Sequence, residues 1–392
     1  MDPLILAGIF LALLFNFVNG MNDATNSIAT VVATRVLSPL RAVAMAAFFN
    51  MIGPLLFTTA VAKTIGKGIV DPVHLTPLVI VIGMFVAVLW VYLSCRTGIP
   101  ISATHALVGG LIGSAAAYAG VGVIILPVAG TASSLVLYAV TGAIIGMVVC
   151  YGIGRITKED PVLPFILQGA FFGAVLSVPV VIITGFLKIS GLFAILLFIV
   201  ISPLLGFIVT YIFSLIFIRW FRNADSGKMN FLSKKLQVFS AAFYSLGHGS
   251  NDAQNGMGVI TAILVAGGLL SEFIVPVWVI LISCSAIALG TLLGGWNVVK
   301  TMAKKITNLR PWQGFCAETS GGVVLSFITA FGVPVSTTHA ITGAIMGVGA
   351  TRGTSAVHWE TVRRIVTAWI ITIPVTAVCA YACYMLYMAI FP

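Results

Sequence analysis

Charged side chains are scarce in this sequence. Of 392 residues, only 8% are Asp, Glu, Lys or Arg, whereas 60% are hydrophobic, and the mean hydropathy is +1.14. A soluble domain carries about 25% charged residues, so this composition excludes an ordinary soluble protein. The sequence predicts an all-α protein that crosses a lipid bilayer many times.

Acidic residues are the rarer sign, with 10 Asp and Glu against 20 Lys and Arg, and the formal net charge is +10. An excess of positive charge can indicate a nucleic-acid partner. Here, however, the basic residues form short clusters in loops beside apolar segments, as the positive-inside rule describes. We therefore expect the lipid bilayer, and no nucleic acid, as a partner.

Several functional signatures are missing. The six cysteines lie in or beside apolar segments without metal-ligand spacing, and we interpret them as small buried hydrophobic residues. We find no HExxH motif, nucleophile elbow or Walker loop, and we expect no cleaved signal peptide. The prediction is a protein that is not an enzyme and has no cofactor beyond a co-transported ion.

What the sequence does contain is two short polar motifs, each present twice inside apolar runs. Gly20-Met-Asn-Asp-Ala-Thr-Asn26 recurs in the second half as Gly249-Ser-Asn-Asp-Ala-Gln-Asn255. Gly98-Ile-Pro-Ile-Ser-Ala-Thr-His105 recurs there as Gly332-Val-Pro-Val-Ser-Thr-Thr-His339. A weaker match at a similar spacing joins Lys63, Thr64 and Lys67 to Lys300, Thr301 and Lys304. Two weakly similar halves are typical of secondary transporters.

The duplication divides the chain into a first membrane repeat at 1–156, a second at 236–392, and central transmembrane segments with a basic linker at 157–235. We expect about twelve transmembrane segments, since each needs roughly 20 apolar residues. Two of them, at 3–33 and 237–266, are predicted to break at their motifs, as the discontinuous helices of transporters do near the middle of the membrane.

Basic residues predict the orientation. The loop after the first motif carries Arg35 and Arg41, whereas the loop after its second copy carries Glu272 and no Lys or Arg. By the positive-inside rule, the first loop is cytoplasmic and the second external. The repeats are therefore predicted to have inverted topology, with the N-terminus outside. The linker 219–235 is then cytoplasmic, and the chain is a multi-pass protein of the cell (inner) membrane.

The first motif pair predicts a cation site. A carboxylate inside an apolar segment needs a basic partner, a proton or a bound cation, and neither motif contains Lys or Arg. Carboxylate, amide and freed backbone oxygens suit Na⁺ or a similar cation. The alternative is that Asn and Asp only cap a kinked helix. The predicted cation-binding residues are Asn22, Asp23, Asn26, Asn251, Asp252 and Asn255, with Na⁺ itself at Asp23, Asn26, Asp252 and Asn255.

The second motif pair predicts an anion site. In each copy a proline ends one helix, and the Ser and Thr after it start the next, where four backbone N–H groups lack helical partners. A helix N-terminus with free N–H groups and hydroxyls suits a tetrahedral oxyanion. The alternative is simple N-capping of two transmembrane helices. The predicted anion-binding residues are Ser102, Ala103, Thr104, Ser336, Thr337 and Thr338.

Five further residues are candidate coupling groups whose roles the sequence leaves open. Glu318 could bind a proton or a cation, or it could be the buried partner of an amide. His105 and His339 could titrate or touch the anion, or they could fix their loops by hydrogen bonding. Thr25 and Gln254 occupy the variable position of the cation motif.

These residues resemble the inorganic phosphate transporter family, the bacterial Pit and eukaryotic type III sodium–phosphate symporters. The family signatures G-x-N-D-x-x-N and P-x-S-x-T-H are similar to the motifs at 20–26, 249–255, 100–105 and 334–339. The resemblance implies inverted repeats and cation-coupled phosphate uptake, with the cation at the Asp and Asn positions and phosphate at the Ser and Thr positions. Some members carry a glutamate where Asn50 stands, and the family also includes sulfate permeases.

The predicted function is import of inorganic phosphate by symport with Na⁺ or H⁺, by alternating access around a site between the repeats. A sulfate permease on the same scaffold is the alternative. The predicted partners are phosphate, the coupling cation and the bilayer, and a homodimer is compatible with the sequence. A membrane enzyme is disfavoured because the chain has no catalytic constellation, and a channel would not need matched acids in two halves.

Overall fold

The protein is all-helical in the part of the chain that the structure describes. The computed structural model describes residues 2–127, 130–157, 163–187, 189 and 191–391, and only the backbone of Thr157, Ala303, Lys304, Lys305 and Thr354. Over these ranges it has fourteen α-helices, and the only β-type pairing is one isolated bridge between Val70 and Ile124. The predicted all-α class is confirmed.

The helices range in length from 8 to 41 residues. In chain order they are α1 Pro3–Ala33, α2 Pro39–Leu56, α3 Ala60–Lys67, α4 Pro77–Thr97, α5 Ala103–Ala119, α6 Thr131–Thr157, α7 Leu163–Ile183, α8 Gly191–Phe221, α9 Ser226–Ala266, α10 Val277–Leu293, α11 Trp296–Lys305, α12 Pro311–Ala330, α13 Thr337–Ala350 and α14 Trp359–Ile390. Short 3-10 turns lie at Pro72–His74, Val121–Val123 and Thr354–Ala356.

Seven of the described helices are long and apolar enough to cross a membrane, or eight crossings if α10 and α11, bent by 73°, form one broken span. α9 is not among them despite its 41 residues, because its first turns are charged and its centre is polar. α5 and α13 have 17 and 14 residues, or about 25 and 21 Å, which is less than the roughly 30 Å hydrocarbon core. The chain is a polytopic membrane protein, and the number of twelve crossings stays a prediction.

The predicted breaks at 19–26 and 247–256 are wrong. α1 and α9 continue through both motifs without interruption. Neither motif contains proline, and its Asn and Asp side chains bond mainly to each other and to neighbouring elements, so they do not compete with the hydrogen bonds of their own helix. The discontinuities lie instead before α5 and α13 and around the short helices α3 and α11.

The predicted linker 219–235 is also mostly helical, which corrects its description as a linker. α8 ends at Phe221 and α9 begins at Ser226, where Asp225 Oδ1 accepts a hydrogen bond from Lys228 N at 2.8 Å. Only 222–225 lies outside a helix. Lys, Leu and Gln are good helix formers, so the hydrophilic stretch after this cap continues directly into the apolar part of α9.

Equivalent helices of the two halves pack together in opposite directions. Near the start of α1, Gly8 lies against Ile263 near the end of α9, and further along Asn16 Nδ2 donates to Ala253 O at 3.2 Å. α1 also packs on α10, and α9 packs on α2. Both contacts depend on glycine. If any of four glycines carried a side chain, its Cβ would lie within 2.2 Å of a backbone oxygen of the facing helix. These are Gly20, Gly53, Gly249 and Gly290.

The outer helices repeat the same relation. α5 packs on α14, and α13 packs on α8. α6 and α7 pack mainly on each other through close glycine contacts, such as Gly146 against Gly169. The two polar motif pairs consequently lie at the centre of the molecule, and the apolar helices surround them.

Candidate functional site

Two extended segments bring the Ser/Thr motifs to α1 and α9. Just after α4 and α12, a glycine has a positive φ, 76° at Gly98 and 72° at Gly332, a left-handed conformation that other residues rarely adopt. A proline two residues later cannot continue a helix. The chain therefore stays out of helical conformation until Ser102 and Ser336, which begin α5 and α13.

Ser102 and Ser336 are N-caps with the same geometry. Each Oγ accepts a hydrogen bond from the backbone N–H three residues later, His105 N and His339 N, at 3.3 Å in both cases. The other N–H groups of a first helical turn have no acceptor within their helix, and they carry the positive end of the helix dipole. Each Ser hydroxyl can still donate its own hydrogen, so both ends can bind an oxyanion.

The asparagines that begin the cation motifs connect α1 and α9 to these extended segments. Asn22 Nδ2 donates to Ile101 O at 3.4 Å, and Asn251 Nδ2 donates to Val335 O at 2.7 Å. Each also donates to Oδ1 of the aspartate that follows it, at 2.7 and 2.8 Å. The backbone carbonyls near the site therefore come from the segments before α5 and α13, and no carbonyl is freed within α1 or α9.

The last asparagine of each motif crosses to the other repeat. Asn26 Nδ2 donates to Thr338 Oγ1 at 3.0 Å, and Asn255 Nδ2 donates to Thr104 Oγ1 at 2.9 Å. Thr338 Oγ1 also donates to Ile101 O at 3.3 Å, directly before the other N-cap. The two helix N-termini are thus neighbours, and each is joined to the cation motif of the opposite half.

Asp23 and Asp252 lie together at the centre, only 3% and 2% exposed. Their carboxylate oxygens and a His248 nitrogen lie within 4.8 Å of one another, and Thr337 Oγ1 lies 3.5 Å from Asp23 Oδ2 and 3.4 Å from Asp252 Oδ2. Within the described residues, no Lys or Arg pairs with either aspartate. Two negative charges no more than 4.8 Å apart repel by at least about 3.5 kcal/mol at an effective dielectric constant of ~20. A bound cation or proton would relieve this repulsion.

His248 belongs to this cluster, although the sequence analysis did not select it. Its Nε2 lies 3.3 Å from Asp252 Oδ2, and its Nδ1 lies 3.1 Å from Asn50 Oδ1. The equivalent residue of the first repeat, Asn19, donates to the same Asp252 oxygen at 3.3 Å. The available sequence signal was the position of His248 four residues before Asp252, which puts both side chains on one helix face.

Glu318 contacts α1 just beyond the first motif and has no exposed surface. It accepts hydrogen bonds from Thr30 Oγ1, from Ser240 Oγ at 2.5 Å and from Gln237 Nε2 at 3.3 Å. Thr30 follows Asn26 by one turn of α1. These partners are all neutral, so Glu318 is a third buried acid, beside the aspartate pair, that could hold a proton or a cation.

His105 and His339 meet between the two half-sites. Their ring centroids are 5.0 Å apart, and His339 stacks on Trp369 at 3.7 Å. Trp369 Nε1 in turn donates to Pro100 O at 3.2 Å. These contacts hold the extended segment before α5 and the first turn of α13 against α14.

Thr25 and Gln254 occupy equivalent positions but differ in their contacts. Gln254 faces the start of α3, where Oε1 accepts from Ala62 N at 3.0 Å and Nε2 donates to Thr58 O, two residues before the helix, at 2.9 Å. The Thr25 hydroxyl is buried and has no hydrogen-bond partner among the residues that the structure describes. Gln254 therefore contacts a neighbouring helix, and no feature of the sequence indicated this contact.

The chain is similar to phosphate transporters over nearly its whole length. The sequence profile of the phosphate transporter family matches residues 19–168 and 222–380. A relative from Rhizobium meliloti (strain 1021), named "Probable low-affinity inorganic phosphate transporter", is 42% identical over 383 residues, 97% of this chain and 96% of that protein. A relative of the same name from Bacillus subtilis (strain 168) is 33% identical over 397 residues, 100% of both.

A solved structure named "The sodium-dependent phosphate transporter" has a similar fold, with a TM-score of 0.70 over 99% of this chain and 100% of that chain, at 23% identity. The two regions that match the family profile contain both copies of both motifs. The relatives are transporters by name, and the prediction that the chain is not an enzyme is confirmed.

Proposed function

The chain belongs to the phosphate transporter family, and on that basis we propose that it imports inorganic phosphate across the cell membrane by symport with a cation, Na⁺ in the first place. One observation carries the proposal. Two buried carboxylates without a Lys or Arg partner in the described residues lie beside two helix N-termini, and cross-repeat hydrogen bonds from Asn26 and Asn255 join the two features. An anion and a cation bound there would neutralise each other in a low-dielectric site.

In this proposal, phosphate binds between the N-termini of α5 and α13. Its oxygens accept from the hydroxyls of Ser102, Thr104 and Ser336, from that of Thr338 when it turns away from Ile101 O, and from backbone N–H groups of the same turns, including those of Ala103 and Thr337. The cation binds oxygens of Asp23 and Asp252 together with the amide oxygens of Asn26 and Asn255. The Asn255 Oδ1 atom is buried and has no hydrogen-bond partner in the described chain, which supports a ligand role.

The packing supports inverted repeats that alternate in access. α1 and α9 are equivalent and run antiparallel, and α3 and α11 lie at opposite ends of α4. With Arg35 and Arg41 inside, the N-terminus is outside, α3 lies on the external side and α11 on the cytoplasmic side, as does the basic stretch 219–235. The repeats at 1–156 and 236–392, together with the central transmembrane segments of 157–235, then form about twelve membrane segments.

This orientation has a direct test. Cysteine in place of Arg41 or Ser271, each in a chain without the six native cysteines, should react with a membrane-impermeant thiol reagent from opposite faces. The reason is that the loops after α1 and α9 follow helices that run in opposite directions. Reaction of both cysteines from the same face would contradict inverted topology.

The remaining polar groups have proposed coupling roles. Glu318 is the group we favour for a second cation or a proton, because its described partners are neutral donors. His105 and His339 hold the two loops together and lie next to the phosphate position. The relatives' names favour phosphate over the alternative sulfate, and a homodimer in the inner membrane remains part of the proposal.

Radiolabelled phosphate uptake into proteoliposomes tests the proposed function. Na⁺ and pH gradients are imposed separately, and sulfate is added as a competitor. We expect an inward Na⁺ gradient to accumulate phosphate, with excess sulfate having no effect. Accumulation driven only by a pH gradient would replace Na⁺ by H⁺. Accumulation of sulfate in place of phosphate, or of neither, would overturn the proposal.

A further inference from the structure

The short helices α3 and α11 make the same contact on opposite repeats. Thr64 Oγ1 in α3 donates to Gly332 O at 2.8 Å, and Thr301 Oγ1 in α11 donates to Gly98 O at 2.9 Å. Gly332 and Gly98 begin the two extended segments that lead to the N-caps Ser336 and Ser102. Each short helix of one repeat therefore lies over the anion-binding segment of the other.

The backbone of each segment is in close contact with its short helix. A Cβ on Gly332 would lie 2.9 Å from Ala60 Cβ, and a Cβ on Gly98 would lie 3.1 Å from Asn297 O. Ala60 and Asn297 are equivalent positions in the alignment that pairs Thr64 with Thr301. A segment cannot move toward its short helix, so a displacement of the anion-binding loop in that direction requires the helix to move as well.

α3 and α11 lie on opposite sides of the membrane. Lys63 and Lys67 of α3 share a cavity of about 870 Å³ with Thr76 and Pro77 at the start of α4. In α11, Asn297 Nδ2 donates to Arg96 O at 3.0 Å, near the end of α4. α4 has 21 residues, or about 32 Å at 1.5 Å per residue, which is enough to span the bilayer. The Thr64–Gly332 contact therefore covers the central site toward one face of the membrane, and the Thr301–Gly98 contact covers it toward the other face.

One difference breaks the symmetry. Gln254, inside the cation motif of α9, holds α3 through Ala62 N and Thr58 O. It also donates to Ser250 O of its own helix at 2.8 Å, which fixes its side chain. The equivalent Thr25 of the first motif has no hydrogen-bond partner in the described residues and does not hold α11. Among the described residues, a hydrogen bond therefore joins a cation motif to the α3 side only, whereas the start of α11 packs on the other motif, with Gly295 against Met21 O.

We infer that Gln254 is a positioning residue that makes closure of α3 over the second anion-binding segment depend on the bound cation. The inference rests on the proposed symport. Without a cation or a proton between them, the repulsion between Asp23 and Asp252 favours separation of α1 and α9. A shift of α9 carries Gln254 with it and withdraws its hydrogen bonds to Ala62 N and Thr58 O at the start of α3. Thr64 then releases Gly332, and the segment before Ser336 becomes free to move.

The test measures access to α3 with matched reporters. Val61 in α3 and Val298 in α11 are equivalent positions and are 0% and 1% exposed. Each is changed to cysteine in a chain without the six native cysteines, reconstituted in liposomes, and treated from both faces with an impermeant thiol reagent, with and without Na⁺. We expect Na⁺ to slow the labelling of Val61→Cys about tenfold or more.

Gln254→Ala should bring the ratio of labelling rates at Val61→Cys, without and with Na⁺, close to one, and it should leave the labelling of Val298→Cys unchanged. Gln254→Thr, which copies Thr25, serves as a second variant if Gln254→Ala does not fold. Thr64→Val removes the other end of the link and should have the same effect, whereas its counterpart Thr301→Val should change only the labelling of Val298→Cys.

Two results would overturn the inference. One is Na⁺-dependent protection of Val61→Cys that persists in Gln254→Ala and Gln254→Thr, and the other is an absence of protection in the parent. Phosphate uptake by the same liposomes separates the two proposals. Cation-driven uptake without cation-dependent protection rejects the role of Gln254 and leaves the symport standing, whereas absence of cation-driven uptake rejects the symport itself.

Discussion

The two halves of the central site share one backbone frame but carry different side chains. In both, an asparagine binds a segment carbonyl, a serine caps a helix at 3.3 Å, and an asparagine crosses to a threonine of the other repeat. Around this frame, the second half has the larger polar groups. Asn19, Thr25 and Ala103 of the first half correspond to His248, Gln254 and Thr337 of the second.

All three substitutions add contacts around the second motif. His248 contacts Asp252, Thr337 lies between both carboxylates, and Gln254 reaches α3. Glu318 is a further acid of the second half, and no acidic residue corresponds to it in the first half. Duplication therefore preserved the helix ends and the crossing asparagines, to which we assign the ions in the proposed function. The polar groups around them have diverged, and the additional ones are concentrated in the second half.

The greatest loss of phosphate uptake is expected from the two aspartates, Asp23 and Asp252, which occupy equivalent positions in the two halves. Asp23→Asn and Asp252→Asn should each reduce phosphate uptake to near background, because each carboxylate balances a bound cation in a low-dielectric site. Uptake in proteoliposomes measures this effect, and size-exclusion profiles in detergent check that both variants are folded. If either variant kept wild-type uptake and cation dependence, the two halves would not form one cation site.

A smaller effect, a loss of phosphate affinity, is expected from changes at the N-termini of α5 and α13. Ser102→Ala and Ser336→Ala each remove one hydrogen bond to a charged group, on the order of 1.5–3 kcal/mol, which is roughly a 10- to 150-fold loss of phosphate affinity. The double variant should be close to inactive, because both ends bind the same ion. The phosphate KM for uptake measures this loss, with the loop variant Ser38→Ala as the control. Equal affinity in all variants would remove the serines from the site.

The weakest effect is expected at Thr337, where the first half carries Ala103 at the equivalent position. Thr337→Ala gives the second half the residue of the first, Ala103, and removes a hydroxyl that lies near both carboxylates. A typical loss of about 1 kcal/mol should raise the Na⁺ concentration for half-maximal uptake roughly fivefold. Thr342→Ala, one turn further along α13, is the control, since Thr342 bonds to its own helix at 2.6 Å. An unchanged Na⁺ requirement in Thr337→Ala would mean that its hydroxyl has no part in the cation site.

Much of this arrangement could be predicted from sequence because it depends on local chemistry. Acids inside apolar segments, and a proline followed by Ser and Thr, are features of the chain itself. The sequence therefore identified the motif residues that the structure brings together. It also indicated the pairing of repeats, because the motifs recur in the same order.

The rest depends on partners that are distant in sequence. Asn22 and Asn26 look like helix breakers alone, but in the fold they bond to Ile101 O and Thr338 Oγ1, so α1 remains continuous. His248 contacts Asn50 only in the folded protein, where α9 faces that residue, so its position in the sequence does not indicate this contact. Propensity and spacing do not contain these contacts, and they decide both the continuity of the helices and the composition of the site.

If both repeats hold one phosphate ion at once, a crystal or cryo-EM structure with phosphate and Na⁺ should show it. Tetrahedral density is expected within hydrogen-bond distance of both Ser102 and Ser336, with a cation between Asp23 and Asp252. Phosphate bound at only one helix end, or at the basic residues of 219–235, would contradict this prediction.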